Sequence, residues 1–489
     1  MEKKINIPAL EIKDVGIVKD VKKGIVKIEG LPSCIIGQLL EFACGLKGMV
    51  IGFNKGEVLG LVLGDEIKIR TGEAVYGEEG IFKIPVGDNF ISRVVNMFCE
   101  PKDGKGKIEE NDLYPIFRNA PGVLDRTPIT EPFFTGLKSI DTTIPLGKGQ
   151  RELILGDRVT GKTSIVIDAI LNQRDKNIIC IYCWIGGSES ALLKIVQELT
   201  QKGAMDYTII VSASACNSTA EQYLVPYVAC SLGEYFMHHG RDVMVAYDNL
   251  TRHAWVYREI SLLLERPPGR EAYPGDIFYI HSQLMERAGR LNKEKGSGSM
   301  TFLPIAQTQE GDITGLIPSN LVSMTDGQIY LNTGLFNEGF RPAVDLGLSV
   351  SRIGSKVQSE AMKDISKNLK REYAQYKELV SLTTIRTKLS EDIELRLNKG
   401  QALRDLFIQD RGRPLSEEEI IVLFYVFDKE HPSILDKAKR ARFKEEIFNF
   451  LKTEHPQVLE NLCTHKMLTE GIKKALDGVI EEFFNKDNA

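Results

Sequence analysis

The segment Leu153-Ile154-Leu155-Gly156-Asp157-Arg158-Val159-Thr160-Gly161-Lys162-Thr163-Ser164, followed by Ile165-Val166-Ile167, constrains this chain more than any other. An apolar strand runs into G-x-x-x-x-G-K-T and then into a helix, the sequence form of a phosphate-cradling P-loop. Gly156 and Gly161 permit the tight backbone path that turns successive N–H groups toward one anion, and the N-terminal dipole of the new helix adds to the attraction. Lys162 is expected to reach the β- and γ-phosphates, and the Thr163 hydroxyl to ligate Mg²⁺. A chance Lys-Thr after a glycine turn would lack these flanks. The chain is expected to bind a nucleoside triphosphate or to descend from one that did.

Around this motif the apolar pattern alternates between strand and helix. Strands are expected at Leu153–Leu155, Ile178–Ile185, Tyr207–Val211 and Val243–Tyr247, with helices over Lys162–Gln173, Glu189–Lys202 and Thr219–Phe236. In the second helix Leu192, Leu193, Val196 and Leu199 are expected on one buried face. Such a βαβ series implies a mostly parallel sheet with ligands at the C-terminal ends of its strands. Before it, from about Val15 to Ile81, come short β-branched runs punctuated by Gly, which suggest a small β-barrel. From about Ser359 the strand signal disappears. Met362, Ile365, Leu369, Tyr373, Tyr376 and Leu379 recur at helical spacing, Gly400 reads as a helix stop, and Ser416 with Glu419 as a capping box. The expected division is residues 1–80 barrel, 81–358 nucleotide-binding α/β domain and 359–489 helical domain.

Length and composition narrow the function classes. A chain of 489 residues exceeds one ordinary core, and a net charge of −5 gives no global attraction to nucleic acid or to an anionic membrane. In the barrel only Phe42, Phe53 and Tyr76 could stack on bases, so a structural barrel is favoured over an RNA clamp. No apolar run approaches the roughly 20 residues that span a bilayer. The opening Met1-Glu2-Lys3-Lys4-Ile5-Asn6 lacks an apolar signal core, and retention in the compartment of synthesis is expected. Cys180 and Cys183 lie three apart on an expected strand and so point to opposite faces, which favours core packing over a redox pair or zinc knuckle.

Asp248 ends the apolar run Val243–Tyr247 and suits the magnesium shell opposite Thr163, or else a cap on the following helix. Hydrolysis also needs a group to orient water, and the position after the adjacent strand is Gly187, which has no side chain. Glu189 opens a helix, where a favourable terminal charge is the simpler reading. Nucleotide is therefore expected to be held without efficient turnover. Arg352, within Gly347–Ser355, fits either a surface ion pair or an arginine finger directed at a neighbour. Pro267–Gly275 fits either a stiff connector or a contact surface.

Taken with Gly147–Leu153, Leu262–Asp276, Thr325–Ile329, Arg341-Pro342-Ala343 and Ser349–Ser355, the chain resembles the alpha subunit of F-type rotary ATP synthases over nearly its whole length. The resemblance implies a barrel, a RecA-like nucleotide domain and a helical domain. It also implies a ring of three alpha and three beta subunits around a gamma shaft, with catalysis on beta and a regulatory Mg-ATP or ADP site on alpha. By position, Gly161, Lys162, Thr163 and Ser164 would hold phosphates, Gly156, Arg158 and Thr160 would belong to the same nucleotide site, and Thr163 and Asp248 would serve Mg²⁺. Arg341, Pro342 and Gln409 would enclose the base, Arg352 would enter the beta site, and Pro267–Gly275 would surround the shaft. Membrane contact would be only through an ion-channel sector, on the cytoplasmic face of a bacterial inner membrane, with no nucleic-acid partner.

Departures from the family are Val159, Gly187 and Arg411 where Gln is usual, Gln307 where Glu is usual, and Asn249 where a second Asp is common. They leave fewer polar groups around the phosphates and imply a divergent or second-copy member, coupled to protons or Na⁺. The N-terminus is expected to lack the helix that meets the peripheral stalk. Competing readings are a catalytic homohexameric ATPase of the secretion or flagellar type with Glu189 as base, an RNA-translocating hexamer, and a structural subunit with an empty site.

Overall fold

The computed structural model describes residues 14–383 and 390–485, so the expectation about an N-terminal stalk helix falls on residues outside the described ones. Six antiparallel strands, Val15–Lys22, Ile25–Gly30, Glu57–Leu63, Lys47–Asn54, Gln38–Phe42 and Ala74–Ile81 in spatial order, close into a barrel. Val18, Val26, Ile28, Leu40, Phe42, Val50, Val62 and Val75 fill it. Phe42 is only 1 % exposed, which removes one of the three aromatic side chains that a nucleic-acid platform would have needed.

The central sheet runs in the order Val350–Ser351, Gly327–Leu331, Leu153–Gly156, Ser299–Gln307, Asp242–Asp248, Ile178–Ile185, Thr208–Ala213 and Val94–Val95. Every pairing along that path is parallel except the first, where Gly327 and Gln328 face Ser351 and Val350 antiparallel. Ile178–Ile185 is buried along its whole length, because helices cover both faces. Cys180 packs on one face and Cys183 on the other, each buried deeply enough to push its thiol well above the usual range. That is core packing.

Three helices pack on the sheet. Lys162–Leu171 follows the P-loop, Glu189–Gln201 is capped by Ser188, and Thr219–His238 carries a Ser218/Glu221 capping box. In the second of these Leu192 and Leu199 are buried as expected, but Leu193 is 56 % exposed. Its position one residue beyond Leu192, about 100° around the helix, carries it off the core face.

The described residues from Glu360–Ser366 through Glu470–Asn485 are mostly helical, with the Ser416/Glu419 capping box formed as read. The apolar stripe beginning at Met362 is split between Glu360–Ser366 and Leu369–Thr383, and Met362, Ile365, Leu369, Tyr373 and Tyr376 are all buried. Gly400 does not stop a helix. It lies inside Glu391–Phe407, where a Cβ would meet the Tyr376 ring at 2.2 Å. The glycine is there to let two helices approach, which spacing along one helix cannot reveal.

Candidate functional site

The Leu153–Gly156 strand ends at the P-loop, which opens into a cleft of about 880 Å³. Gly161 takes φ 99° as the residue that starts the helix, a left-handed conformation that L side chains rarely adopt. Val159 sits nearby at φ 69° and 77 % exposed, a strained setting for a β-branched residue, and it offers no polar group. Arg158, Thr160, Gly161, Lys162, Thr163 and Ser164 line the cleft together with Asp248, Arg341, Pro342 and Gln409. All of the candidate site residues except Gly156 and Arg352 therefore come together on its wall, and Gly156 is tied to it through Lys162. Among the lining residues are five cationic side chains and three carboxylates, a balance suited to a polyanion.

Lys162 is 8 % exposed and donates from Nζ to the carbonyl of Gly156 at 2.8 Å and to that of Asp157. Burial lowers its pKa to about 8, against the opposing pull of Asp248 and Asp157. Thr163 Oγ1 donates to Asp248 Oδ2 at 2.6 Å, and Tyr182 OH donates to the same oxygen at 2.9 Å. Burial raises the Asp248 carboxyl, while these two hydroxyls and the charges of Lys162 and Arg252 oppose it. A hydroxyl and a carboxylate at this separation, beside an ammonium, form a donor set that fits Mg²⁺ with a phosphate. Asn249, next in the chain, accepts from Arg252 N at 2.9 Å and caps the helix Leu250–Leu263. The capping role read for Asp248 thus belongs to its neighbour.

Asp157, inside the motif, has a function that spacing did not indicate. Its carboxylate accepts from Thr308 Oγ1 at 2.7 Å, Gly311 N at 2.9 Å and Thr333 Oγ1 at 2.8 Å, tying the P-loop to the ends of both neighbouring strands. Burial works to raise its pKa, but these three donors outweigh it and hold the carboxyl below its usual range. Tyr182 and Trp184 were also passed over within an apolar strand. The available signal was their period-two spacing, which puts both on the face where Asp248 ends.

At the far wall the Arg341 guanidinium lies over the Phe336 ring at 4.7 Å. Gln409 is tied inward: its Oε1 accepts from Lys138 N at 2.9 Å, and its Nε2 donates to the carbonyls of Gly136 and Arg413 at 2.7 and 2.9 Å. It shapes the wall and locks the helical domain to the sheet domain. Arg411 pairs with Glu198, and Gln307 lines the cleft with its backbone N–H donating to Thr251. Glu189 is exposed at the first turn of its helix and does not line the cleft, as expected for a terminal charge.

Arg352 lies elsewhere. It follows the edge strand Val350–Ser351, paired with Gly327 and Gln328 at the N-terminal end of their strand, whereas the P-loop lies beyond the C-terminal end of Leu153–Gly156. Its side chain is exposed, makes one weak contact to the Val322 carbonyl at 3.4 Å and forms no ion pair among the described residues. Pro267–Gly275 is largely exposed and anchored by Tyr273, which is 4 % exposed beneath the Arg258 guanidinium. Among the described residues no helix is long and apolar enough to cross a membrane.

Three family models match in order. They are the beta-barrel domain of the ATP synthase alpha/beta family over residues 11–78, its nucleotide-binding domain over 136–351, and the C-terminal domain of ATP synthase alpha/beta chains over 358–483. A protein named ATP synthase subunit alpha from Clostridium botulinum strain Eklund 17B is 47 % identical over 470 residues, covering 96 % of this chain and 93 % of that one. Its namesake from Clostridium botulinum strain Hall is 45 % identical over 476 residues, covering 97 % and 94 %. With barrel, P-loop sheet and helical domain all in the family's order, the chain belongs to the ATP synthase alpha/beta family, among its alpha subunits.

Proposed function

We propose that this chain is the regulatory, non-catalytic alpha subunit of an ion-translocating rotary ATP synthase. It holds Mg-ATP in its own cleft and lends Arg352 to a catalytic site on an adjacent beta subunit. The phosphates rest on the N–H groups of Gly161 to Ser164 and on Lys162, with Thr163 and Asp248 serving magnesium. Arg341 and Pro342 border the base, and three such chains alternate with three beta subunits around a gamma shaft faced by Pro267–Gly275. Proton or Na⁺ movement, and contact with the membrane, belong to other subunits of the complex.

The observation that carries this reading is the position of Arg352 at the opposite end of the sheet from its own P-loop. Three residues of strand alone separate the two ends by about 10 Å, before the P-loop adds more. An exposed guanidinium that forms no ion pair among the described residues and lies at the opposite end of the sheet from its own P-loop suits a phosphate on a neighbour. At the end of the strand beside the P-loop, where a water-orienting group is expected, position 187 is Gly and Glu189 stands outside the cleft. That placement of Glu189 argues against the catalytic homohexamer.

The test is co-expression with a candidate beta subunit, comparing wild type with Arg352→Ala. Turnover is expected to fall about 10³-fold with assembly intact, as for other arginine fingers. Unchanged turnover in an assembled ring, or brisk hydrolysis by the purified chain alone, would overturn the reading.

A further inference from the structure

Trp184 stands at the end of the Ile178–Ile185 strand, in register with Asp248 on the next strand. Its indole stacks with Tyr182, ring centroids 6.2 Å apart at 28°, and lines the cleft beside Thr163 and Asp248. Two features of this side chain are not explained by packing. A Cβ at Gly187 would lie 2.0 Å from Cζ2 and 2.3 Å from Cε2 of the indole, so the ring occupies the space that any side chain at 187 would require. In addition, Nε1 is itself buried and has no hydrogen-bond partner among the described residues, in a side chain only 8 % exposed. Buried donors are almost always paired, and an orphan one at the wall of a cationic cleft calls for an acceptor from outside the chain.

We propose that the Trp184 indole replaces the missing side chain of position 187 and donates its N–H to an oxygen of the terminal phosphate of a nucleoside triphosphate in the cleft. The site thereby prefers triphosphate to diphosphate. The inference rests on the reading that this cleft holds Mg-ATP. An indole nitrogen donates but does not accept. It can grip a phosphate oxygen, yet it cannot take a hydrogen bond from a water and aim that water at phosphorus. The group that fills the space thus strengthens retention of the triphosphate and removes the means of cleaving it. Gly187 and Trp184 are one device: the first makes room for the second.

The chain has two tryptophans, and the other, Trp255, is 39 % exposed and outside the cleft. In the full-length Trp255→Phe protein, Trp184 is therefore the sole tryptophan reporter. Its emission is expected to shift on adding Mg-ATP and to change little with Mg-ADP. By calorimetry, a further Trp184→Phe change is expected to weaken Mg-ATP by about 10-fold or more while leaving Mg-ADP within about two-fold, the size of one hydrogen bond to a charged acceptor. Gly187→Gln in the parent is expected to weaken both nucleotides or to lower stability, because the new side chain meets the indole. Combining it with Trp184→Ala is expected to restore Mg-ATP binding. A Trp184→Phe protein that keeps the parent's preference for Mg-ATP over Mg-ADP, or tight binding by Gly187→Gln alone, overturns the role of Trp184 and leaves Mg-ATP binding standing. A parent protein that binds neither nucleotide overturns both.

Discussion

Across 85 residues of intervening chain, Thr163 Oγ1 donates to Asp248 Oδ2 at 2.6 Å, joining the first turn of the P-loop helix to the end of a strand two places away in the sheet. Tyr182, from the strand beyond, fixes the same carboxylate oxygen at 2.9 Å. The pair is thus held in position by three elements. Substituting Asp248→Asn keeps the shape and removes the charge. Mg-ATP affinity is expected to fall about 10- to 100-fold, the usual range for losing a group that orients a metal's shell. Affinity for ATP in the presence of a chelator is expected to stay level or rise, because one negative charge has left the phosphate site. Titration calorimetry with and without Mg²⁺ distinguishes this from general damage, which would weaken both.

Lys162 predicts a pH dependence with a definite sign. Burial lowers its pKa to about 8 in the open cleft, and a bound phosphate chain would restore it toward the ordinary lysine range. Protonated Lys162 binds tighter, so affinity is expected to be flat below about pH 8 and to fall by up to about 10-fold per pH unit above it. Calorimetry at pH 8.5 or so in buffers of different ionisation enthalpy should show proton uptake on binding, and Lys162→Arg should abolish it.

Glu152 affects stability rather than binding. It is fully buried just before the P-loop strand; Oε2 accepts from Gln150 Nε2 at 2.7 Å and Oε1 has no partner among the described residues. Burial first, and the nearby Asp326 charge second, raise its pKa well above the carboxylate range. A group whose folded pKa is raised contributes stability in full below its unfolded pKa of about 4.3 and loses it as pH rises through the folded value. Glu152→Gln is expected to raise the melting temperature at pH 8 relative to wild type, with the gain shrinking toward pH 5. Thermal unfolding across that range measures it, and a constant offset would remove the titration of Glu152 as the cause.

The helical domain offers a packing test. Gly400→Ala places a Cβ against the Tyr376 ring at 2.2 Å, a contact that forces two helices apart. A loss of about 1–3 kcal/mol is expected from overpacking, exceeding the roughly 1 kcal/mol that Ala gains over Gly in helix propensity. Chemical denaturation measures the loss, and Tyr376→Leu should relieve much of it.

How far the sequence could be read depends on the range of the information. The P-loop strand and helix follow from contiguous motif and period and form where expected, and the motif residues Arg158 to Ser164 line one cleft. The Ser416/Glu419 box is equally local and also formed. Gly400 failed because its reason lies on a different helix, and Leu193 because a four-residue stripe was drawn one position too wide. Asp157 and Trp184 escaped for other reasons: Asp157 bonds to Thr308 and Thr333 far along the chain, and the Trp184 ring folds back over Gly187, three residues on, which an apolar run does not reveal. Arg352 is an intermediate case, since its segment was visible but the end of the sheet it occupies was not.

The closed barrel at the N-terminal end has a consequence for association. Each of its six strands is hydrogen-bonded to a neighbour on both sides, so no row of bare amides and carbonyls is left for another polypeptide to extend. Any crown that several such domains build must be joined by side chains. Its joints are then chosen residue by residue, and crowded copies are protected from fusing into an unending ribbon.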